Sequence, residues 1–240
     1  MSPTSIFAPA STSAAAIFGL STLVIGVTAV IFVCVCALLV YAVIRFKKRP
    51  DDDGSEPAQV YGSNQVEIAW TVIPTLIVVV LFLASARVIT SVQNADRPAS
   101  AVQVVAVGHQ FWWEYRYPAL GIVTANELHV PLSDPARPTP TFVTLLSADT
   151  DHSFWIPRLG GKTDLIPNRI NNTWIDPFET GLFLGQCAQY CGTQHAKMLL
   201  RVYVDSKDGF DAWVGQQREP AREQADVAEG RRVFQSTACI

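Results

Sequence analysis

Two cysteines, a histidine and a methionine stand close together near the end of the chain, as Cys187-x-x-x-Cys191-x-x-x-His195-x-x-Met198, and a second histidine, His152, lies upstream in a stretch rich in tryptophan and proline. Thiolate and thioether sulfurs combined with imidazole nitrogens favour copper among the first-row metals, whereas the oxygen-rich sets that suit magnesium or calcium are missing. Two thiolates four residues apart on one loop can both face inward and bridge two metal ions, leaving one histidine to cap each ion. A centre of that kind moves electrons rather than transforming substrates.

The elements that must carry this cluster are bounded by composition. A chain of 240 residues with 49% hydrophobic and 16% charged residues reads as a membrane anchor plus a smaller domain. The net charge of -3 gives no sign of a nucleic-acid partner. Of the five cysteines, Cys34 and Cys36 lie in an apolar run and read as small hydrophobes of a core or a lipid face. Cys239 stands next to the last residue, so only the pair Cys187 and Cys191 reads as chemistry.

No charged side chain occurs in the first 44 residues, and from Ala15 to Ile44 the run is almost wholly apolar. About 20 such residues cross the hydrocarbon core of a bilayer. The run is too long for a signal peptide, and its basic residues follow rather than precede it. Arg45, Lys47, Lys48 and Arg49 come directly after it, which puts that end in the cytoplasm and the amino terminus outside. A polar loop with Asp51, Asp52, Asp53 and Glu56 leads to a second apolar run, Ile68 to Ala86, which returns across the membrane with Pro74 as a tolerated kink. The expected spans cover about 15–44 and 67–90. Glu67, at the cytoplasmic edge, reads either as an acid solvated among the headgroups or as one that admits protons to a path in a partner protein.

From Val102 the pattern changes to short β-rich pieces separated by Pro, Gly, Asn and Asp: Val102 to Val107, Phe111 to Tyr117, Thr141 to Leu146, Asn168 to Ile175, Gly181 to Gly185 and Met198 to Val204. Such spacing predicts a sandwich or barrel whose loops gather at its ends, which lets His152 meet the Cys187 to Met198 segment. Ser206 to Gln217 reads as a short helix capped by Ser206, with Phe210, Trp213 and Val214 as its apolar face. The fold class is thus α+β, a two-helix transmembrane hairpin over residues 1–95 followed by an all-β domain over 96–218, with a linker and a further segment over 219–240.

Four motifs in order sharpen this reading: Gln65-x-Glu67-x-x-Trp70-Thr71-x-x-Pro74, Gly108-His109-Gln110-x-x-Trp113, Asp149-x-x-His152-Ser153-Phe154-Trp155-x-Pro157, and Cys187-x-Gln189-x-Cys191-Gly192-x-x-His195-x-x-Met198. Over residues 15 to 218 the chain resembles subunit II of cytochrome c oxidase. The resemblance implies a cupredoxin-like domain with a binuclear copper centre, CuA, bridged by Cys187 and Cys191. It further implies His152 and His195 as one imidazole ligand each, Met198 as a weak axial sulfur and the carbonyl of Gln189 as the other axial ligand. Many relatives carry glutamate at that position and bind magnesium with it at the boundary with subunit I; the neutral amide of Gln189 puts that second metal in doubt.

By the same resemblance an electron arrives from cytochrome c, crosses CuA and goes on to haem in subunit I, where dioxygen becomes water and protons are pumped. Subunits I and III, cytochrome c and the membrane are the implied partners, and the bacterial cytoplasmic membrane is the implied location, with both termini and the CuA domain on the periplasmic side. In the family the electron arrives at a tryptophan whose position here is Phe111; Trp112 and Trp113 are the neighbouring candidates. The run Phe111-Trp112-Trp113-x-Tyr115-x-Tyr117 also reads simply as strand packing. His109 and His129 read as structural, neither having ligand-type neighbours, and Asp164 and Arg169 resemble the family's contact with subunit I.

Gly230 to Phe234, leading to Cys239, resembles the start of a class I cytochrome c domain fused to subunit II in some bacterial oxidases. Covalent haem needs C-x-x-C-H, and only its first cysteine is present, so haem c is expected only where a longer natural chain completes that domain. Four further readings compete. A zinc site would use the same Cys₂His₂ set, but Met198 and the Gln189 spacing weigh against it. A membrane-anchored CuA carrier would need only one helix, and the CuA subunit of a nitric oxide reductase-type complex fits the paired-helix motif less well. A quinol oxidase subunit would lack the copper ligands.

Overall fold

The computed structural model describes residues 4–48, 50, 54–56, 58–59, 61–134, 136–220 and 227–237. Cys239, Arg49 and Asp51 to Asp53 lie outside the described residues. Two long helices come first, α1 (Thr12–Arg45) and α2 (Asn64–Gln93), packed against each other. Both are long and apolar enough to cross a membrane, and both exceed the expected spans by a turn or so at their ends. The extension has a local cause at α1, where the Ser11 hydroxyl accepts from the Ala14 N–H at 3.1 Å and caps the helix. Hydroxyls within the helices are satisfied by the preceding turn: Thr22 donates to the Phe18 carbonyl, and Thr75, beside Pro74, to that of Thr71.

Among the described residues, ten strands follow in two sheets: β1 (Gln103–His109), β2 (Trp112–Tyr117), β3 (Ile122–Ala125), β4 (Glu127–Pro131), β5 (Thr141–Ser147), β6 (His152–Trp155), β7 (Thr163–Leu165), β8 (Asn171–Ile175), β9 (Gly181–Cys187) and β10 (Leu199–Asp205). One sheet has the order β3-β2-β1-β5-β8 and the other β4-β10-β9-β6-β7. The β1–β5 and β4–β10 pairs are parallel and the remaining pairs antiparallel. The sheets face each other over one core, as alternation dictates: in β2, Trp113, Tyr115 and Tyr117 are buried while Trp112, Glu114 and Arg116 point outward. Each Leu or Phe removed from water here contributes roughly 1.5–3 kcal/mol. The Tyr117 hydroxyl joins the sheets, donating to the His129 carbonyl and accepting from the His129 N–H, each at 2.9 Å.

The six expected strands are present with shifted ends, and β3, β4, β6 and β7 are additional. Asn126 explains the β3–β4 corner: it sits in the left-handed region at φ 63°, and its side chain accepts from the Trp113 N–H at 3.0 Å. The expected terminal helix is α3 (Lys207–Arg218), capped by Ser206 with Phe210 buried, and α4 (Ala228–Ser236) follows.

The helices are laced to the β domain. Residues just before α1 run along it: the Ala10 N–H donates to the Arg158 carbonyl at 2.8 Å and the Ala10 carbonyl accepts from Phe178 at 3.0 Å. Ser11 donates to the Leu159 carbonyl at 2.7 Å, and Thr12 to the Asp176 carboxylate at 2.8 Å. From the far end of α2, the Val92 carbonyl accepts from the Trp174 indole at 2.7 Å.

Candidate metal centre

Three short pieces of chain bring the cluster together. His152 opens β6, Cys187 closes β9, and the loop between Cys187 and Met198 carries the rest through a single 3-10 turn at His195–Lys197. The loop is pinched at its neck: the Cys187 N–H donates to the Met198 carbonyl at 2.9 Å and the Ala188 N–H to the Ser153 carbonyl at 3.0 Å. Pairing of Phe154 with Cys187 sets β6 beside β9 and so fixes where His152 stands.

The donor atoms form a compact cluster. His152 Nδ1 lies 3.8 Å from Cys187 Sγ, that sulfur 3.9 Å from Cys191 Sγ, and the second sulfur 3.6 Å from His195 Nδ1. The Gln189 carbonyl oxygen flanks Cys187 at 3.2 Å, and Met198 Sδ flanks Cys191 at 3.8 Å. A disulfide would bring the sulfurs to about 2 Å, so these are separate thiols. His152, Cys187, Cys191 and Met198 are buried, whereas His195 is half-buried. The ring of Trp113 meets His152 and Phe154 edge-on, at 6.0 and 5.9 Å, and completes an apolar wall.

The electrostatics of the thiols diverge. Burial would raise Cys187, but the hydrogen bond with His152 and main-chain hydrogen bonds at Ser153 and Gln189 outweigh it and bring it down to about 6. Cys191 goes up to about 11, first through burial and then through the neighbouring charge of Cys187. Burial likewise works against the charge on His152, yet Cys187 and Asp149 together raise it above its ordinary value. The pair therefore keeps one proton that a cation would displace.

Asp149 fixes the outer nitrogen of His152, with Oδ1 2.7 Å from Nε2, and its other oxygen accepts from the Gln110 N–H at 2.6 Å. A carboxylate in that place sets the ring's orientation and raises its basicity as a ligand. Its position in the Asp149-x-x-His152 motif was the available signal, and sequence reasoning gave it no role. Gly108 is the other unnoticed residue: a Cβ there would stand 2.8 Å from His152 Cδ2.

A family profile for the periplasmic domain of cytochrome c oxidase subunit II matches residues 126–205, and one for its transmembrane domain matches residues 4–88. A probable cytochrome c oxidase subunit 2 from Rickettsia bellii is 30% identical over 214 residues, which cover 81% of this chain and 77% of that protein. This chain belongs to the subunit II family of cytochrome c oxidase. The subunit 2 proteins of Alkalihalophilus pseudofirmus and Bacillus subtilis are 33% and 32% identical over 224 and 217 residues, covering 89% and 83% of this chain. The chain spans 63% and 59% of the length of those two relatives.

The subunit II fold accounts for most of the expected site in one place. His152, Cys187, Gln189, Cys191, His195 and Met198 converge, and their donor set suits copper. Trp113 is buried in the wall, Phe111 packs over Gly192 in the ligand loop, and Trp112 is exposed. Glu67 is not part of this cluster; it lies exposed in the first turn of α2. His109 and His129 stand outside the cluster too, but each has a carboxylate partner that the sequence did not reveal, Glu114 at 3.0 Å and Asp205 at 2.7 Å.

Proposed function

We propose that this chain is the electron-accepting subunit of a haem–copper respiratory oxidase, taking electrons one at a time from cytochrome c and delivering them to haem in subunit I. The observation that supports this most is the convergence of two sulfurs, two imidazole nitrogens and two flanking donors, the Gln189 carbonyl and the Met198 thioether, on one small space. His152 and His195 would each cap one copper, Cys187 and Cys191 would bridge the pair, and the Gln189 carbonyl and Met198 would complete it. A single tetrahedral zinc ion would use the cysteines and histidines alone and give Met198 and Gln189 no task. When bound, the copper pair holds one shared electron and changes its geometry little on taking up another.

The protein's share is to hold and shield. Asp149 orients His152, the necked loop fixes both thiols, and Trp113, Phe154 and Met198 keep water away, which steadies the potential of the site. Gln189 offers its carbonyl while its exposed, neutral side chain lacks the charge for magnesium. The lacing of Ala10 and Ser11 to the β domain supports a topology with the amino terminus and the β domain on one side of the bacterial membrane, the periplasmic side. Glu67 then lies at the cytoplasmic surface, where it would admit protons to subunit I, and the segment 219–240 would begin a cytochrome c domain. Subunits I and III are the partners of the hairpin.

Electron paramagnetic resonance of the copper-loaded full chain tests the central reading. A seven-line hyperfine pattern with about two coppers per chain is expected from an electron shared over two nuclei; a four-line pattern, or silence with zinc bound, would refute it. Replacing Glu67 by Gln in the assembled enzyme is expected to slow turnover, and unchanged turnover would return Glu67 to a solvated edge.

A further inference from the structure

The two halves of the metal centre are built differently. His152 and Cys187 stand on the adjacent strands β6 and β9, whose pairing fixes them. Cys191 and His195 lie past the end of β9, in the loop, where the neck at Met198 and the bond from the His195 N–H to the Gly192 carbonyl shape the chain. Gln110 touches both halves. Its N–H donates to Asp149 Oδ2 at 2.6 Å, and Asp149 Oδ1 stands 2.7 Å from His152 Nε2, so the main chain of Gln110 is tied to the first half. Its side chain crosses to the second: Nε2 donates at 2.6 Å to the carbonyl of Cys191, 81 positions further along the chain. Gly192 leaves room for that crossing. At φ +136° it holds a conformation that side chains rarely adopt, and a Cβ there would stand 3.1 Å from Gln110 Nε2 and 3.0 Å from the Phe111 ring.

Gln110 is exposed as a residue, yet its amide donates inward to the carbonyl of a cysteine that is 3% exposed. A single amide–carbonyl bond adds little to net stability, but it fixes where the carbonyl, and the thiol on the same residue, can stand. Cys191 Sγ is 3.9 Å from Cys187 Sγ and 3.6 Å from His195 Nδ1, so a small swing of Cys191 alters both separations at once. Resting on the copper reading above, we propose that Gln110 is a positioning residue that straps the Cys191 half of the centre to the His152 half and so sets the spacing of the two sulfurs for a metal pair. Any residue but proline keeps the main-chain bond to Asp149. Side-chain substitutions at this position therefore test the crossing alone.

The full chain is tested with Gln110→Met, which keeps the length and loses the donor, and with Gln110→Lys, which keeps a donor. In competition with a copper chelator, Gln110→Met should bind copper about tenfold more weakly, the low end of what loss of an outer hydrogen bond costs a metal site. Its seven-line resonance should collapse toward four lines, because the two coppers no longer match. Gln110→Lys should restore most of both. Unaltered affinity in Gln110→Met, or an equal loss in Gln110→Lys, overturns the proposal. Amide hydrogen exchange of the metal-free full chain gives a readout without copper. Gln110→Met should speed exchange from Gln189 to Lys197 and leave β9 and β10 as slow as before. Unaltered exchange in that loop, or faster exchange throughout the β domain, overturns the strap. Absence of the two-copper resonance in the unaltered protein would instead sink the copper reading, while exchange would still decide the strap.

Discussion

His152 and His129 each hold an aspartate at 2.7 Å, and nothing else about them is alike. His152 is fully buried, gives Nε2 to Asp149 and turns Nδ1 toward the sulfur of Cys187. His129 gives Nδ1 to Asp205, and its two faces are covered by the rings of Tyr203 at 4.6 Å and Trp213 at 4.5 Å. A carboxylate thus orients an imidazole wherever it stands, and the remaining neighbours decide its use. Soft sulfur beside it suits His152 to hold a metal, whereas aromatic planes make His129 a strut between β4 and α3.

The sharpest break of this contrast is removal of a thiol. Cys187→Ser or Cys191→Ser should abolish the two-copper resonance, and His152→Ala should do the same, whereas His129→Ala should leave copper content unchanged by elemental analysis. Next comes titration of the metal-free protein. Thiolate absorbance should rise by one equivalent near pH 6, for Cys187, and by a second only toward 11, for Cys191. The sign for stability follows: with its folded value below the ordinary 9.0, Cys187 favours the fold above pH 9 and loses that contribution as pH falls toward 6. Two equivalents released together near 9 would show that the two sulfurs do not share a proton. Asp149→Asn should weaken copper affinity about 10–100-fold in competition with a chelator, while Asp205→Asn should leave it unaltered. The smallest effect is mechanical: His129→Ala should cost about 1–3 kcal/mol in denaturant unfolding of the β domain by unstacking Trp213.

The parts written in local pattern were legible before any coordinates. Uncharged runs announced α1 and α2, and the candidate donors of the loop stood out by type and spacing. Ser206 and the apolar positions of α3 were equally plain. What stayed hidden depends on distant pairing. The β6 strand is only His152–Trp155, too short to show alternation, and it exists because β7 and β9 flank it. Gly181 to Gly185 reads as a strand ending early, yet pairing with β10 carries β9 on to Cys187, which puts the first thiol at a strand end. Asp205 lies 76 positions from His129, so no window along the chain could join them. Glu114 is only five positions from His109, but the hairpin turn between them brings them together.

The hydrogen bonds of Ala10 and Ser11 to Arg158 and Leu159 give the molecule a mechanical property beyond stability. His152 and Leu159 lie seven positions apart on one run of chain, so the imidazole proposed as a ligand stands close to the point where the start of α1 is tied to the domain. The β domain cannot sway without pulling on that run. On the proposed electron-relay reading, where tunnelling weakens steeply with separation, a lever this short would hold constant the gap to an acceptor in the membrane.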